Sequence, residues 1–187
     1  MPSLKKEQKT QLFGSFLMLV IVAIFVVVLP LFASSLPDPN RLKGGQRFDM
    51  GNGVSIVPSD GWSLDPDSDP SFFTILLKEG VKLIFVSPRE ENTTLEEKTE
   101  ALVLRLESDS MTDWTIDWPF YFETDAGALA SMVTAHSPSV TNENWIVAEG
   151  NVFLVMASDS SDSSWMALHE EMDQVIRTVQ IEVQDGV

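Results

Sequence analysis

The side chains able to do acid–base or metal chemistry in this 187-residue chain are its carboxylates and two imidazoles. Cysteine is absent. That excludes disulfides, thiol catalysis, iron–sulfur clusters, thiolate zinc sites and a lipidated lipobox cysteine together. His136 and His169 lie far apart in the sequence, and neither has a further ligand at metal spacing. His169 falls within a helical pattern and reads as a solvated helix residue. His136 ends a strand and reads as a sheet-edge residue. No Gly-x-Ser-x-Gly elbow is present to support a serine triad. Ser3-Leu4-Lys5-Lys6 matches Ser-x-x-Lys only by chance. Gly51-Asn52-Gly53 lacks the third glycine and the helix of a nucleotide loop. The one metal-like string is Asp65-Pro66-Asp67-Ser68-Asp69, because alternating aspartates can surround Ca²⁺. In an EF-hand register it fails twice: Pro70 falls where the loop needs glycine, and Leu76 where it needs glutamate. Asp65, Asp67 and Asp69 therefore stand as candidate ligands of a weak surface Ca²⁺ site, with a plain polar loop as the alternative. No cofactor is called for.

The elements that would position these groups follow from periodicity. Arg47–Met50 and Val54–Val57 are expected as short strands around the Gly51-Asn52-Gly53 turn. Trp62–Leu64 gives a brief edge strand, and Ser71–Lys78 with Val81–Ser87 a hairpin closed by Glu79-Gly80. Phe73, Ile75 and Leu77 share one face at period two. Thr93 or Thr94, with Glu three positions later, makes a capping box for a helix whose apolar stripe is Leu95, Leu102 and Leu106. Asp113–Thr124 reads as one strand, with Trp114, Ile116, Trp118, Phe120 and Phe122 alternating onto an aromatic face. That face packs as core or lines a pocket. Ala128–His136, Asn144–Ala148 and Val152–Ser158 are three further strands. A helix over Ser164–Thr178 carries Trp165, Leu168, Met172, Val175, Ile176 and Val179 on one stripe. Gln180–Val183 is a last short strand or a frayed end. The class is α+β, an antiparallel sheet with helices packed on it.

The order of elements and the segment Val54-Ser55-Ile56-Val57-Pro58-Ser59-Asp60-Gly61-Trp62 resemble the opening of PsbP-like domains. Val175-Ile176-Arg177-Thr178-Val179 looks like the end of that family's last helix. The resemblance covers Phe48 to Val183 and is of the kind found in small single-span proteins of high-GC Gram-positive bacteria. It implies an α/β/α sandwich and a binding or accessory role at membrane complexes. It carries over no site residue.

Before this domain, Leu12–Ala33 is a run of 22 residues without charge, 16 of them Leu, Ile, Val or Phe. At ~1.5 Å per residue it reaches ~33 Å as a helix, enough for a hydrocarbon core of ~30 Å. The expected organisation is a tail over 1–11, a transmembrane helix over 12–33, a linker over 34–46 and a domain over 47–187. An uncleaved signal-anchor is favoured over a cleaved signal peptide because the apolar run exceeds the usual h-region. Three lysines precede the span, and Arg41, Lys43 and Arg47 follow it. The positive-inside count is thus tied. The close-set N-terminal lysines and the acidic remainder place the N-terminus in the cytoplasm and the domain outside.

From Phe48 onward the chain carries 26 acidic and 6 basic side chains. Such a balance argues against nucleic-acid binding, which needs a basic footprint. The expectation is a non-enzymatic, membrane-anchored interaction module, an accessory or assembly subunit of a larger membrane complex such as a respiratory or transport assembly. The alternative is an extracytoplasmic ligand- or Ca²⁺-binding domain.

Overall fold

The computed structural model describes residues 40–108 and 113–182. The expected span Leu12–Ala33 lies outside them. Among the described residues no helix is long and apolar enough to cross a membrane.

The elements run β1 Phe48–Gly51, β2 Val54–Ile56, β3 Ser63–Leu64, β4 Phe73–Lys78, β5 Val81–Glu90, α1 Leu95–Glu107, β6 Thr115–Ile116, β7 Phe120–Glu123, β8 Leu129–His136, β9 Thr141–Glu149, β10 Val152–Asp159, α2 Asp162–Arg177 and β11 Gln180–Ile181. The main sheet is antiparallel, in the order β3-β4-β5-β10-β9-β8-β6, with β7 also paired to β8. A small sheet, β1-β2-β11, pairs the last described strand with β2.

Register divides the side chains of the main sheet between two layers. Ala130↔Val147, Met132↔Trp145 and Met156↔Trp145 are paired, so these residues share one face. That face meets Leu168, Met172, Val175 and Ile176 of α2, and Val54, Ile56 and Ile181 of the small sheet, in the principal core. The opposite face, with Ile146, Ala148 and Phe153, meets Leu95 and Leu102 of α1 in a smaller cluster. There the buried Thr99 hydroxyl of α1 bonds Ser131 of β8 at 2.7 Å. The result is a helix layer, a sheet layer, and a layer made of α2 with the small sheet. On β4 the core-facing residues are Thr74 and Leu76, while Phe73, Ile75 and Leu77 share the half-buried face.

Local chemistry sets the ends. Thr94 and Glu97 form the reciprocal capping box of α1. Ser161 caps α2 by accepting from the Ser164 amide, so that helix begins two residues before its expected start. Glu79 and Gly80 both adopt positive φ, 47° and 83°, the geometry of a tight two-residue hairpin. At Gly53 an added Cβ would stand 2.8 Å from the Glu182 carbonyl oxygen, so the close approach of the segment after β11 requires glycine.

Three expectations change in the structure. The compact unit begins at Asn40, not Arg47. The later part of the expected linker is held on β3 by Leu42 N–H to the Trp62 carbonyl and Leu64 N–H to the Asn40 carbonyl, both 2.8 Å. The expected strand Asp113–Thr124 is two short strands, β6 and β7, because Pro119 has no amide to give the ladder. Strand β9 starts at Thr141 instead of Asn144.

The Pro58–Trp62 segment is fixed by one carboxylate. The Glu171 Oε1 of α2 accepts from the Ser59 hydroxyl, the Lys78 ammonium and, at 3.1 Å, the Trp62 indole. Trp62 is wholly buried. Burial pushes the Glu171 carboxyl up, but the hydrogen bonds from Lys78 and Ser59, the Lys78 charge and the Trp62 indole outweigh it, and its pKa is lowered.

Candidate functional site

Of the two expectations for the aromatic face, core or pocket lining, Trp118 does not meet the first: its side chain is 95% exposed. The cause is a slip in register. Ile116 faces Ala135 of β8, and Phe120 faces Met132. Four steps on one side therefore match three on the other. The extra residue falls at Asp117-Trp118-Pro119, and a bulge of this kind re-aims a side chain and ends regular pairing. Asp117 still donates its amide to the Thr134 carbonyl at 2.9 Å. Phe120 and Tyr121 beyond the bulge are also exposed, as are Leu129 at the start of β8 and Leu104 on α1.

Trp118 stands on the rim of a groove of about 540 Å³. One wall is the outer side of α1, with Glu100, Val103, Leu104 and Glu107. The other is Ile116, Asp117, Trp118 and Pro119. The lining is mostly apolar, and among the described residues its charged members are all acidic. A tryptophan left in water forgoes roughly 2–3 kcal/mol of burial. Grouped exposed apolar side chains rimmed by polar ones mark interaction surfaces.

A second polar feature lies on the α2 side of the sheet. Glu143 of β9 is only 5% exposed. Its amide donates to the Ser158 hydroxyl at 2.8 Å. Burial pushes its carboxyl up to about 7, against the pull of the Trp165 indole, His169 and His136, with Asp173 adding to the rise. The Trp165 indole N–H is near enough to favour the charged form, but its geometry is looser than a formed hydrogen bond. His169 stacks on Trp165, ring centres 4.8 Å apart, and its Nδ1 is buried without a hydrogen-bond partner. The solvated helix histidine expected from the sequence is therefore a packed one. His136 also departs from expectation. It lies between β6 and β9, opposite Thr115 and Thr141, and not at an edge.

His136 links this cluster to the groove. Its Nε2 is 3.3 Å from the Asp117 carboxylate and its Nδ1 is 3.1 Å from the Thr141 hydroxyl. Thr141 donates its one proton to Asp162 at 2.9 Å, so it accepts from Nδ1. The string Asp117–His136–Thr141 has the residue types of a triad. Thr141, however, is 4% exposed and has already committed its proton, so it offers no nucleophile to a substrate.

The Asp65–Asp69 loop is organised by its own backbone. Asp65 accepts from the Asp67 amide at 2.9 Å, and Asp69 from the Ser71 amide at 3.0 Å. Among the described residues no three His, Cys, Asp or Glu side chains converge as metal ligands. Asp65, Asp67 and Asp69 are not brought together.

With this geometry in hand, the class is clear: the chain has a PsbP-like fold, mostly antiparallel sheet with two helices among the described residues. It is similar to the solution structure of cyanobacterial PsbP (CyanoP) from Synechocystis sp. PCC 6803, with a TM-score of 0.54, 10% identity, and coverage of 79% of this chain and 98% of that one. A crystal structure from Bacteroides thetaiotaomicron VPI-5482 also matches, with a TM-score of 0.44, 15% identity, and coverage of 77% of this chain and 51% of that one. No family model and no curated protein matches the sequence.

Proposed function

We propose that this chain is a non-enzymatic interaction module, anchored in a membrane by Leu12–Ala33, with its N-terminus in the cytoplasm and its acidic domain outside. It serves as an accessory or assembly subunit of a larger membrane complex. The observation that carries the reading is the exposed Trp118 beside the groove along α1, with Leu104 of α1 and Tyr121 of β7 also exposed on that side of the sheet. The bulge at Asp117–Pro119 presents the Trp118 side chain to solvent. The role implied by the PsbP-like resemblance agrees with this, and the apolar N-terminal run supplies a means of attachment.

Gel filtration of gently solubilised membranes tests the reading. The wild-type chain is expected to elute with a large assembly and the Trp118→Ala chain to elute alone. Identical elution of both as a small species would contradict it.

A further inference from the structure

The groove between α1 and the Asp117–Pro119 bulge has the chemistry to select its occupant. Its apolar lining is Val103, Leu104, Ile116, Trp118 and Pro119, and among the described residues its charged lining is Glu100, Glu107 and Asp117. Resting on the interaction reading above, we propose that this groove docks a basic amphipathic helix of a partner protein, with its apolar face on Leu104 and Trp118 and its lysines or arginines against Glu100, Glu107 and Asp117.

The shape argues for a helix over an added strand. A strand would need a row of free amides and carbonyls, whereas the wall here contains a proline and a bulge, features that block edge pairing. Charge argues for the occupant's sign. From Glu107 to the end of the chain there are 15 acids and one base, Arg177. A second copy would set acid against acid, and an anionic lipid surface would be repelled in the same way. A basic segment gains on both counts, and the field speeds its encounter at low salt.

The test uses the full-length chain in nanodiscs of neutral lipid. Two labelled helical peptides with the same leucine and phenylalanine face are compared by fluorescence anisotropy, one flanked by lysines and the other by glutamates. Saturable binding of the lysine peptide is expected, with the glutamate peptide weaker by roughly tenfold or more. Raising the salt is expected to weaken the lysine peptide, because screening acts over ~8 Å at physiological ionic strength. The Glu100→Lys/Glu107→Lys chain should lose that preference, and the Trp118→Ala chain should lose affinity for both peptides. Equal binding of the two peptides, or binding that neither variant changes, overturns the proposal. So does equal binding to empty nanodiscs, which assigns the peptide to lipid, or self-association of the chain abolished by the Trp118 change, which assigns the groove to a second copy. Co-elution of the wild-type chain with a large assembly that survives Glu100→Lys/Glu107→Lys but not Trp118→Ala would overturn the basic-helix assignment alone and leave the interaction reading standing.

Discussion

Replacing Glu143 by glutamine should remove a pH dependence that the wild-type domain carries in its core. Glu143 is 5% exposed, and burial raises its carboxyl above the ordinary carboxylate value of 4.5 to about 7. A raised folded-state pKa means that the native chain holds a proton which the unfolded chain has released. The stabilising contribution is complete below the unfolded value near 4.5 and is lost as pH rises through about 7. At 1.36 kcal/mol per unit, full ionisation in the folded state costs about 3 kcal/mol relative to the protonated form. For a domain of this size about 1 kcal/mol corresponds to roughly 2–4 °C, so the effect is on the order of 10 °C. Glutamine keeps the shape and carries no charge at any pH. Thermal melting of the full-length chain in mild detergent, followed by near-ultraviolet circular dichroism, measures it. Near pH 5 the two chains should melt within a few degrees of each other. By pH 8 the glutamine chain should melt higher, by about 10 °C. Parallel melting curves across this range would refute the assignment of a buried, reluctantly ionised carboxylate. The rest of the acidic surface titrates in both chains, so only the difference between them is diagnostic.

Other expected outcomes are more local. Glu171→Ala should destabilise the domain by roughly 3 kcal/mol, since it strands the half-buried Lys78 and the donors of Ser59 and Trp62; urea unfolding reads this directly. The wild-type contribution of Glu171 should be present above the unfolded-state pKa and fall away as pH drops through its lowered folded value, the opposite sense to Glu143. Thr94→Ala should cost about 1 kcal/mol by opening the capping box of α1, seen as faster amide exchange in its first turn. Trp118→Ala should leave the unfolding free energy within about 0.5 kcal/mol of wild type in urea titration, because the side chain is almost fully exposed. Calorimetry with Ca²⁺ should give no saturable heat at Asp65, Asp67 and Asp69, whose Asp65 and Asp69 carboxylates already serve backbone amides.

Where local chemistry and periodicity agree, the sequence was readable. The Glu79-Gly80 hairpin, the Thr94–Glu97 box and the stripe from Leu168 to Ile176 each declare themselves within a few residues. The PsbP-like order of elements followed from them. The errors fall where distant partners decide. Trp118 alternates with its neighbours as a buried strand residue would, and only the register against β8 reveals the extra residue beside Pro119. Thr141, Asn142 and Glu143 have no apolar run to mark a strand, so the sequence pattern starts this strand at Asn144 and misses Glu143. The period-two series Thr141, Glu143, Trp145, Val147 was the available signal. His169 looked solvated because a helical stripe does not show that Trp165 beside it stacks on its ring and that a buried carboxyl lies across the layer. The groove joins α1 to a bulge in β6–β7, and no local motif encodes that meeting.

The proposed role is that of a membrane-held subunit of something larger. Affinity purification of the full-length chain from its native membranes in mild detergent, with quantitative mass spectrometry and the Trp118→Ala chain in parallel, addresses it most directly. The account predicts a fixed stoichiometric set of membrane-complex subunits with the wild-type chain and their loss with the variant. Recovery of the wild-type chain alone, at full yield and correctly folded, would contradict it.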